Sequence, residues 1–199
     1  MIDKNNYPLR LEGKYCILEE ISPKYFQYVI EWRNNPELNK YLNQPFKLTM
    51  ELEKQWYENI YMKDDTQCLW IVIDKATNTP IGTTGHTDLD CEKKRCIGGR
   101  LLLGRTDYSN QPAFLESFFV GSDYMYRIID IQYCHVVKKN RRALKINRML
   151  GFEPNIGEIQ YPSELFVHGM EQIELFRTKE MYLKVRDKIF NHLGNALFN

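Results

Sequence analysis

The 199-residue sequence lacks an excess of charge of either sign, and it lacks a long apolar run. Its 27 basic residues stand against 26 acidic ones, which leaves a net charge of +1. Nucleic-acid-binding proteins usually carry a basic excess, so we expect no nucleic-acid partner. No apolar run approaches the roughly 20 residues that span a bilayer, and residues 1–10 contain no apolar segment of a signal peptide. We therefore expect a cytoplasmic protein that does not contact a membrane.

The sequence also lacks paired cysteines. Its five cysteines are an odd number and form no CxxC motif, which favours reduced thiols over a disulfide framework. Cys91 and Cys96 are the two nearest in sequence, and no histidine stands beside them at the spacing of a zinc site. We therefore expect no metal.

Hydrophobic periodicity and turn residues predict an order of elements for the whole chain. A strand and two helices come first, three strands follow, and strand–helix units complete the chain. The predicted elements are a strand at Leu9–Glu19 with a bulge or turn at Gly13, a helix from Ser22–Pro23 to about Arg33, a helix capped by Thr49, strands at Cys68–Asp74, Ile81–Asp90 and Arg95–Gly104, a helix from Pro112 to about Val120, a strand–helix unit at Arg127–Leu150, weaker strands near Ile156–Tyr161 and Gln172–Phe176, and a last helix capped by Thr178. This order indicates an α+β fold with a mixed sheet.

The stretch from Arg127 to Phe152 is the most informative part of the sequence. Its first part is rich in β-branched and aromatic residues, which favours a strand. Asn140 suits the N-cap of the following helix, because its side-chain oxygen accepts from free first-turn amides. Gly151 suits the end of that helix, because glycine adopts the left-handed conformation at low cost. Other α/β folds also contain strand–helix units of this kind.

This run resembles the end of the cofactor-binding core of the GNAT superfamily of acyl-CoA-dependent N-acetyltransferases. The matching residues are Asn140, Ala143 and Leu150–Gly151–Phe152. The resemblance implies an α+β fold with a mixed central sheet of about six to seven strands, flanked by helices and splayed between the fourth and fifth strands. We expect one domain over residues 1–199, with an extra C-terminal helix at about 178–193. Whether a further domain follows is left open.

The resemblance also implies acetyl-CoA as co-substrate. In GNAT proteins the pantetheine bonds to the fourth strand, and the pyrophosphate lies on amides at the start of the next helix, where free N–H groups favour anions. The loop Arg105–Ala113 departs from the family pattern, because it contains no glycine. The residues that the resemblance assigns to the cofactor are Leu101, Leu102, Leu103, Arg105, Ser109, Asn110, Gln111, Ala113, Asn140 and Ala143.

The acceptor amine must lose a proton to attack a thioester, so a base or a water relay is required. Thr84, His86, Asp88 and Asp90 alternate along one predicted strand and would share a face. We predict His86 or Asp88 as the base. The alternative is that His86 is a satisfied histidine and that the aspartates are solvated charges at the end of the strand.

A second set of catalytic candidates lies after residue 130. His135 shares a predicted face with Tyr133 and is a further candidate base. GNAT proteins often place a tyrosine four residues after the alanine of the closing helix, to protonate the leaving thiolate. That position is Asn147 here, which cannot give up a proton at neutral pH. Either Tyr133 supplies the proton or the thiolate leaves unprotonated, and Asn147 is retained to orient the thioester.

The early Trp32–Arg33–Asn34, followed by a proline, resembles two GNAT branches. One acetylates nucleotide-linked amino sugars and the other acetylates the N-termini of ribosomal proteins. We prefer the first, with an acceptor such as a nucleotide-linked 4-amino-4,6-dideoxyhexose. A protein N-terminus is the second hypothesis, and a non-catalytic acyl-CoA-binding member is the third. The final helix allows a homodimer. The substrate-binding candidates are Trp32, Arg33, Asn34, Tyr41 and Lys47.

Overall fold

The computed structural model describes residues 8–161 and 169–197, the last eight of them by backbone alone. Within these ranges the chain forms eight strands, six α-helices and short 3-10 turns. The strands are β1 (Arg10–Glu12), β2 (Cys16–Glu20), β3 (Cys68–Asp74), β4 (Thr79–Asp90), β5 (Arg95–Leu103), β6 (Ile131–Val137), β7 (Glu153–Pro154) and β8 (Gln172–Thr178). The helices are α1 (Phe26–Asn34), α2 (Pro36–Asn39), α3 (Met50–Asn59), α4 (Pro112–Met125), α5 (Arg141–Met149) and α6 (Lys179–Leu197).

All eight strands belong to one mixed sheet. Their order is β1-β2-β3-β4-β5-β6-β8-β7, and each pair is antiparallel except β5 and β6, which run parallel. The α+β fold predicted from the sequence is confirmed, with eight strands instead of six to seven. One reason for the larger number is that the predicted strand Leu9–Glu19 turns back on itself after Gly13, which gives the antiparallel pair β1 and β2.

The turn between β1 and β2 is held by a carboxylate of α4. Glu116 is 8% exposed and accepts hydrogen bonds from the backbone N–H groups of Lys14, Tyr15 and Cys16, at 2.8, 2.6 and 2.8 Å. Burying a charged carboxylate is tolerated because it is hydrogen-bonded. This contact fixes α4 against the early strands.

Alternate residues of the strands pack on opposite faces of the sheet. Leu18 and Trp70 belong to the core under α4, whereas their neighbours Ile17 and Ile71 belong to the core under α1 and α3. The alternation explains why β3 is apolar on both sides. The continuous run CLWIVID is therefore a buried central strand.

Three predicted helix caps are present, and at α6 Thr178 accepts from the Met181 amide at 3.2 Å. The side chain of Asn140 accepts from the Ala143 amide at 3.1 Å, and Thr49 accepts from the Leu52 amide at 3.3 Å. Gly151 ends α5 with a φ of +85°, as expected for a glycine at that position. The described helices include none that is long and apolar enough to cross a membrane.

The strand predicted near Ile156–Tyr161 is wrong. Only β7 forms there, and residues 155–161 are an irregular segment held by one buried carboxylate of β8. Glu174 accepts from the Asn155 side chain at 2.6 Å and from the backbone amides of Gln160 and Tyr161 at 3.0 Å each. The hydrogen bonds of this segment go to the Glu174 side chain and not to a neighbouring strand. The pattern of residues in the sequence does not indicate this.

Candidate active site

The sheet opens between β5 and β6. Their parallel pairing joins Arg95 to Ile131 and ends where Ile97 meets Tyr133. Beyond that point the two strands diverge, and β5 keeps its other neighbour, β4. We call this opening the cleft. Strand edges at such an opening offer backbone N–H and C=O groups to an extended ligand.

A β-bulge interrupts β5 beside the cleft. The register with β4 shifts between Thr83 and Gly85, and Arg100 takes a φ of +52°. The Arg100 carbonyl accepts from the Thr83 hydroxyl at 2.6 Å, which holds the bulge in place. A Cβ at Gly99 would meet no atom within 4 Å, so the strand has open space beside it. The bulge directly follows the glycine pair Gly98–Gly99, and it redirects the Arg100 side chain.

The loop after β5 leads into α4. It contains a 3-10 turn at Thr106–Tyr108, and the Arg105 side chain is bound by Asp107 at 3.1 and 2.8 Å. The backbone amides of Ser109 and Gln111 donate to the carbonyls of Thr106 and Tyr108, respectively. No side chain caps the start of α4, and no acidic residue lies in its first turn. The N–H groups there suit the pyrophosphate of a nucleotide cofactor.

A pocket of about 570 Å³ lies on the β3–β4 side of this loop. It contains Lys14, Lys75 and Thr77 together with the loop residues Tyr108 and Gln111. None of the predicted catalytic side chains lines it. It therefore borders the predicted cofactor loop without being part of the cleft.

His86 and Asp88 do not share a surface, which corrects the predicted row of polar side chains. The register of β4 shifts between Thr87 and Asp90, and Asp88 has a φ of +54°. His86 is 4% exposed, with its Nδ1 3.8 Å from the Cys68 sulfur. Burial, with a smaller effect of the nearby Arg177 charge, lowers the pKa of His86 to about 3. Asp88 is exposed.

Asp88 lines a second cavity, of about 280 Å³, which we call the side pocket. The side pocket lies over β4 and β5 and includes Ile97, where the cleft begins. It therefore connects an accessible carboxylate with the opening between the strands. Its lining residues are Asp64, Thr66, Gln67, Thr87, Asp88, Ile97 and Arg100.

Tyr133 and His135 lie on one face of β6, as predicted, against the irregular segment 155–161. Tyr161 contacts the Tyr133 ring at a centroid distance of 5.5 Å, and its hydroxyl is 3.5 Å from the Asp88 carbonyl. His135 Nε2 lies 3.1 Å from a Glu174 oxygen. Burial lowers the pKa of His135, against the opposing effect of Glu174, and burial raises the pKa of Tyr133.

The chain matches the model of the acetyltransferase (GNAT) domain over residues 16–153, which is more than half of its length. It belongs to the GNAT acetyltransferase family. The protein is thus an acetyl-CoA-dependent N-acetyltransferase.

Solved GNAT structures share the fold at low sequence identity. FdhC, described as a nucleotide-linked sugar GNAT, has a TM-score of 0.71 and 16% identity over 90% of this chain and 96% of its own. A spermidine N-acetyltransferase from Vibrio cholerae, in complex with CoA and spermine, has a TM-score of 0.69 and 17% identity over 86% and 99%. A GCN5-related N-acetyltransferase from Brucella melitensis has a TM-score of 0.71 and 16% identity over 89% and 82%. No curated protein matches the chain.

The predicted cofactor residues Asn140 and Ala143 lie at the start of α5, and the catalytic candidate Asn147 lies further along the same helix. The side-chain oxygen of Asn140 accepts from the Ala143 amide and so caps α5. Asn147 donates to the Ala143 carbonyl at 2.9 Å, and its oxygen lies 3.4 Å from the Cys134 sulfur. Asn147 is therefore fixed between α5 and β6. On β5, Leu102 is 9% exposed, and Leu101 and Leu103 are half-buried.

The three residues of the predicted acceptor motif Trp32–Arg33–Asn34 make different contacts in this GNAT fold. Trp32 is 6% exposed and packs against Gly104, where a Cβ would lie 2.1 Å from a ring atom. Asn34 bonds both backbone groups of Leu48 at 2.8 Å and so closes the loop between α1 and α3. Arg33 donates from Nε to the Gln44 side chain at 2.6 Å. Of the three, the Arg33 side chain is the one that carries a charge.

Tyr41 and Lys47 lie in the same loop. Tyr41 is half-buried with the Lys40 ammonium 5.4 Å from its ring, and Lys47 is exposed. The structure therefore does not bring them into the side pocket. Sequence reasoning missed Glu53, Gln67 and Arg100, which do lie at or near it. The glycine pair before Arg100 indicated the bulge, and no residue pattern indicated the buried Glu53.

Proposed function

We propose that this GNAT protein transfers the acetyl group of acetyl-CoA to the amine of a nucleotide-linked amino sugar in the cytoplasm. The observation that carries the proposal is the side pocket, which joins the exposed Asp88 to the start of the cleft. The likeness to a nucleotide-linked sugar GNAT supports the choice of acceptor. The tryptophan–arginine–asparagine motif supports it as well, because arginine pairs well with a diphosphate.

The cofactor would lie along β5, with its pyrophosphate on the uncapped start of α4. The thioester would then lie near Ile97 and Tyr133, where the strands part. The acceptor nitrogen forms a bond to the acetyl carbon, and the carbon–sulfur bond breaks. The proton of the amine goes to Asp88, directly or through water, because Asp88 is accessible and His86 is not. Tyr133 gives a proton to the sulfur that leaves. Its raised pKa keeps the hydroxyl protonated at neutral pH.

The test is a panel of acceptors with the release of free thiol as the readout. Acetyl-CoA would be offered with a nucleotide-linked 4-amino sugar, with a peptide bearing a free N-terminus, and with spermidine. Highest kcat/KM on the sugar nucleotide supports the proposal. Preference for the peptide or for spermidine overturns the acceptor class while leaving acetyl transfer intact. Release on none of the three, by protein that binds acetyl-CoA in a calorimeter, favours a non-catalytic member.

A further inference from the structure

The charges of two arginines act on one buried carboxylate, and one of these arginines, Arg100, lines the side pocket. Arg33 comes from the end of α1, Arg100 from the bulge of β5 and Glu53 from the first turn of α3. Glu53 is 2% exposed, and both guanidinium groups act on its charge. Burial raises the pKa of Glu53, and the two cations oppose that rise. The cluster therefore combines two fixed positive charges with one negative charge that its own burial disfavours.

The charge of Glu53 acts on Arg33, and that of Asp64, which lines the side pocket with Arg100, acts on Arg100, without close ion pairs. Among the ion pairs of residues 8–161 and 169–189, none places a carboxylate oxygen within 4.0 Å of Arg33 or Arg100. Burial lowers the pKa of Arg100, and the charge of Arg33 lowers it further. Two like charges that repel each other in a half-buried site are stabilised when an anion binds between or beside them.

Arg100 is held in place, and part of its hydrogen-bonding capacity is unused. One terminal nitrogen donates to the Gln67 side chain, and the guanidinium lies 5.4 Å from the centre of the Trp56 ring. Its Nε is buried without a hydrogen-bond partner among the described residues. A guanidinium presents a planar fork of donors that matches phosphate oxygens. Arg100 is therefore held in one orientation at the wall of the side pocket.

We propose that Arg100, supported by the charge of Arg33, binds a phosphate group of the acceptor and so determines acceptor specificity. This inference rests on the proposed function, because it takes the side pocket as the acceptor site. Asp88 at the same pocket receives the amine, and Arg100 receives the anion. The acceptor is then an amine that also carries phosphate. A polyamine has no anionic group for Arg100 to bind.

The first experiment measures anion binding without turnover. Inorganic pyrophosphate is titrated into the protein in a calorimeter, with coenzyme A at saturation so that the cofactor's own phosphate site is filled. Wild-type protein is expected to bind, and Arg100→Gln to bind roughly 10- to 100-fold more weakly, as for the loss of a charge-assisted hydrogen bond. Arg10→Gln makes the same charge change on the edge strand β1 and is expected to bind like wild type. Equal binding by wild type and Arg100→Gln overturns the inference.

The second experiment measures specificity. The ratio of kcat/KM for a nucleotide-linked 4-amino sugar to that for the free 4-amino sugar is compared between wild type and variants. Arg100→Gln is expected to lower this ratio roughly 10- to 100-fold, through the KM of the nucleotide-linked acceptor. Arg100→Lys keeps the charge and is expected to restore part of the ratio. An equal loss on both acceptors shows a structural role and overturns the inference.

The two experiments separate the inference from the proposed function. Arg100-dependent binding of pyrophosphate without acetylation of either sugar supports the anion site and overturns the amino-sugar acceptor. Acetylation of the sugar nucleotide at a rate that does not depend on Arg100 supports the proposed function and overturns the anion site. Circular dichroism and thermal unfolding of each variant establish that it is folded.

Discussion

At the scale of single residues, the local environment gives different exposure to side chains that the sequence pattern places on one face of a strand. His86 and Asp88 are two positions apart, and a regular strand would turn both the same way. One bulge leaves His86 buried against Cys68 and Asp88 exposed at the side pocket. Accessibility, and not residue type, therefore selects Asp88 as the candidate base.

We expect Asp88→Asn to lower kcat by roughly 10²–10⁴ with little change in the KM for acetyl-CoA, because removing a general base slows proton transfer and leaves binding intact. Steady-state thiol release measures both constants. Asp90→Asn is the matched control, since Asp90 lies on the same strand and pairs with Lys93 and Arg95. Near wild-type kcat in Asp88→Asn, with a large loss in His135→Gln, would move the base to β6.

We expect Arg33→Ala to raise the KM for the acceptor roughly tenfold or more and to change kcat less. The reason is that charge-assisted bonds to phosphate form in the ground state and the transition state alike. Initial rates at varied acceptor concentration measure this. Lys54→Ala, at an exposed position of α3 next to Glu53, removes one positive charge outside the pocket and should leave the KM unchanged. A raised KM for acetyl-CoA alone would assign Arg33 to the cofactor.

At the scale of elements, we propose that the start of α4 binds the phosphates that a glycine-rich loop binds in the family pattern. The Arg105–Gln111 loop satisfies its own amides through tight turns. Phosphate binding is then left to the first-turn N–H groups of a 14-residue helix whose N-cap, Gln111, makes no side-chain cap. The absence of glycine in this loop is therefore compatible with the proposed phosphate site at the start of α4.

We expect Gln111→Asp to stabilise the fold and to weaken binding of acetyl-CoA. An aspartate at the N-cap accepts from first-turn amides and interacts well with the helix dipole, which contributes about 0.5–2 kcal/mol. The same carboxylate competes with and repels the pyrophosphate. Urea unfolding and calorimetric titration with acetyl-CoA give the two effects. Thr178→Asp, before α6, is the control for adding one charge at a helix start. Undiminished affinity in Gln111→Asp would place the pyrophosphate elsewhere.

At the scale of the whole molecule, one buried arginine joins four elements. Arg177 on β8 is 2% exposed and donates to the Leu150 carbonyl after α5, to Ser122 of α4 and to Gln132 of β6, at 2.8, 2.9 and 2.7 Å. Its guanidinium lies 4.3 Å from the centre of the Phe152 ring. The acceptors are neutral groups, so hydrogen bonds and ring contacts stabilise this buried charge.

We expect Arg177→Lys to lower the free energy of unfolding by about 2–4 kcal/mol. Lysine keeps the charge but cannot reach acceptors in three directions, so buried acceptors are left unpaired. Urea unfolding followed by circular dichroism measures the change. Arg186→Lys, which alters a half-exposed pair with Asp123, should cost less than about 1 kcal/mol. Similar losses in both variants would contradict a special role for Arg177.

His86 also makes stability depend on pH. Its folded pKa of about 3 lies below its ordinary value, so between about pH 6.5 and 3 the unfolded chain binds a proton that the folded chain does not. Stability contributed by neutral His86 is therefore complete above about pH 6.5 and falls as the pH is lowered through this window. We expect His86→Gln to reduce the slope of unfolding free energy against pH, by up to about 1.4 kcal/mol per unit. Unfolding in urea between pH 4 and 7 measures it, and equal slopes would contradict the burial.

Local patterns were sufficient for most of the element order, the caps at Thr49 and Asn140, the glycine end of α5 and the GNAT resemblance, but not for the segment 155–161 or the split of the first strand. Periodicity, capping and turn chemistry act over a few residues, so the sequence alone determined them. The predicted homodimer stays a prediction, as do the roles of the individual site residues.

Tertiary structure decided the rest. The side pocket brings together Asp64, Asp88 and Arg100 from different segments, and the charges of two arginines, from α1 and β5, act on Glu53. The bulges of β4 and β5 determine the directions of the Asp88 and Arg100 side chains. Those bulges depend on the hydrogen bonding between the two adjacent strands. Charge, burial and access at a site depend on contacts between distant segments, and only folding establishes those contacts.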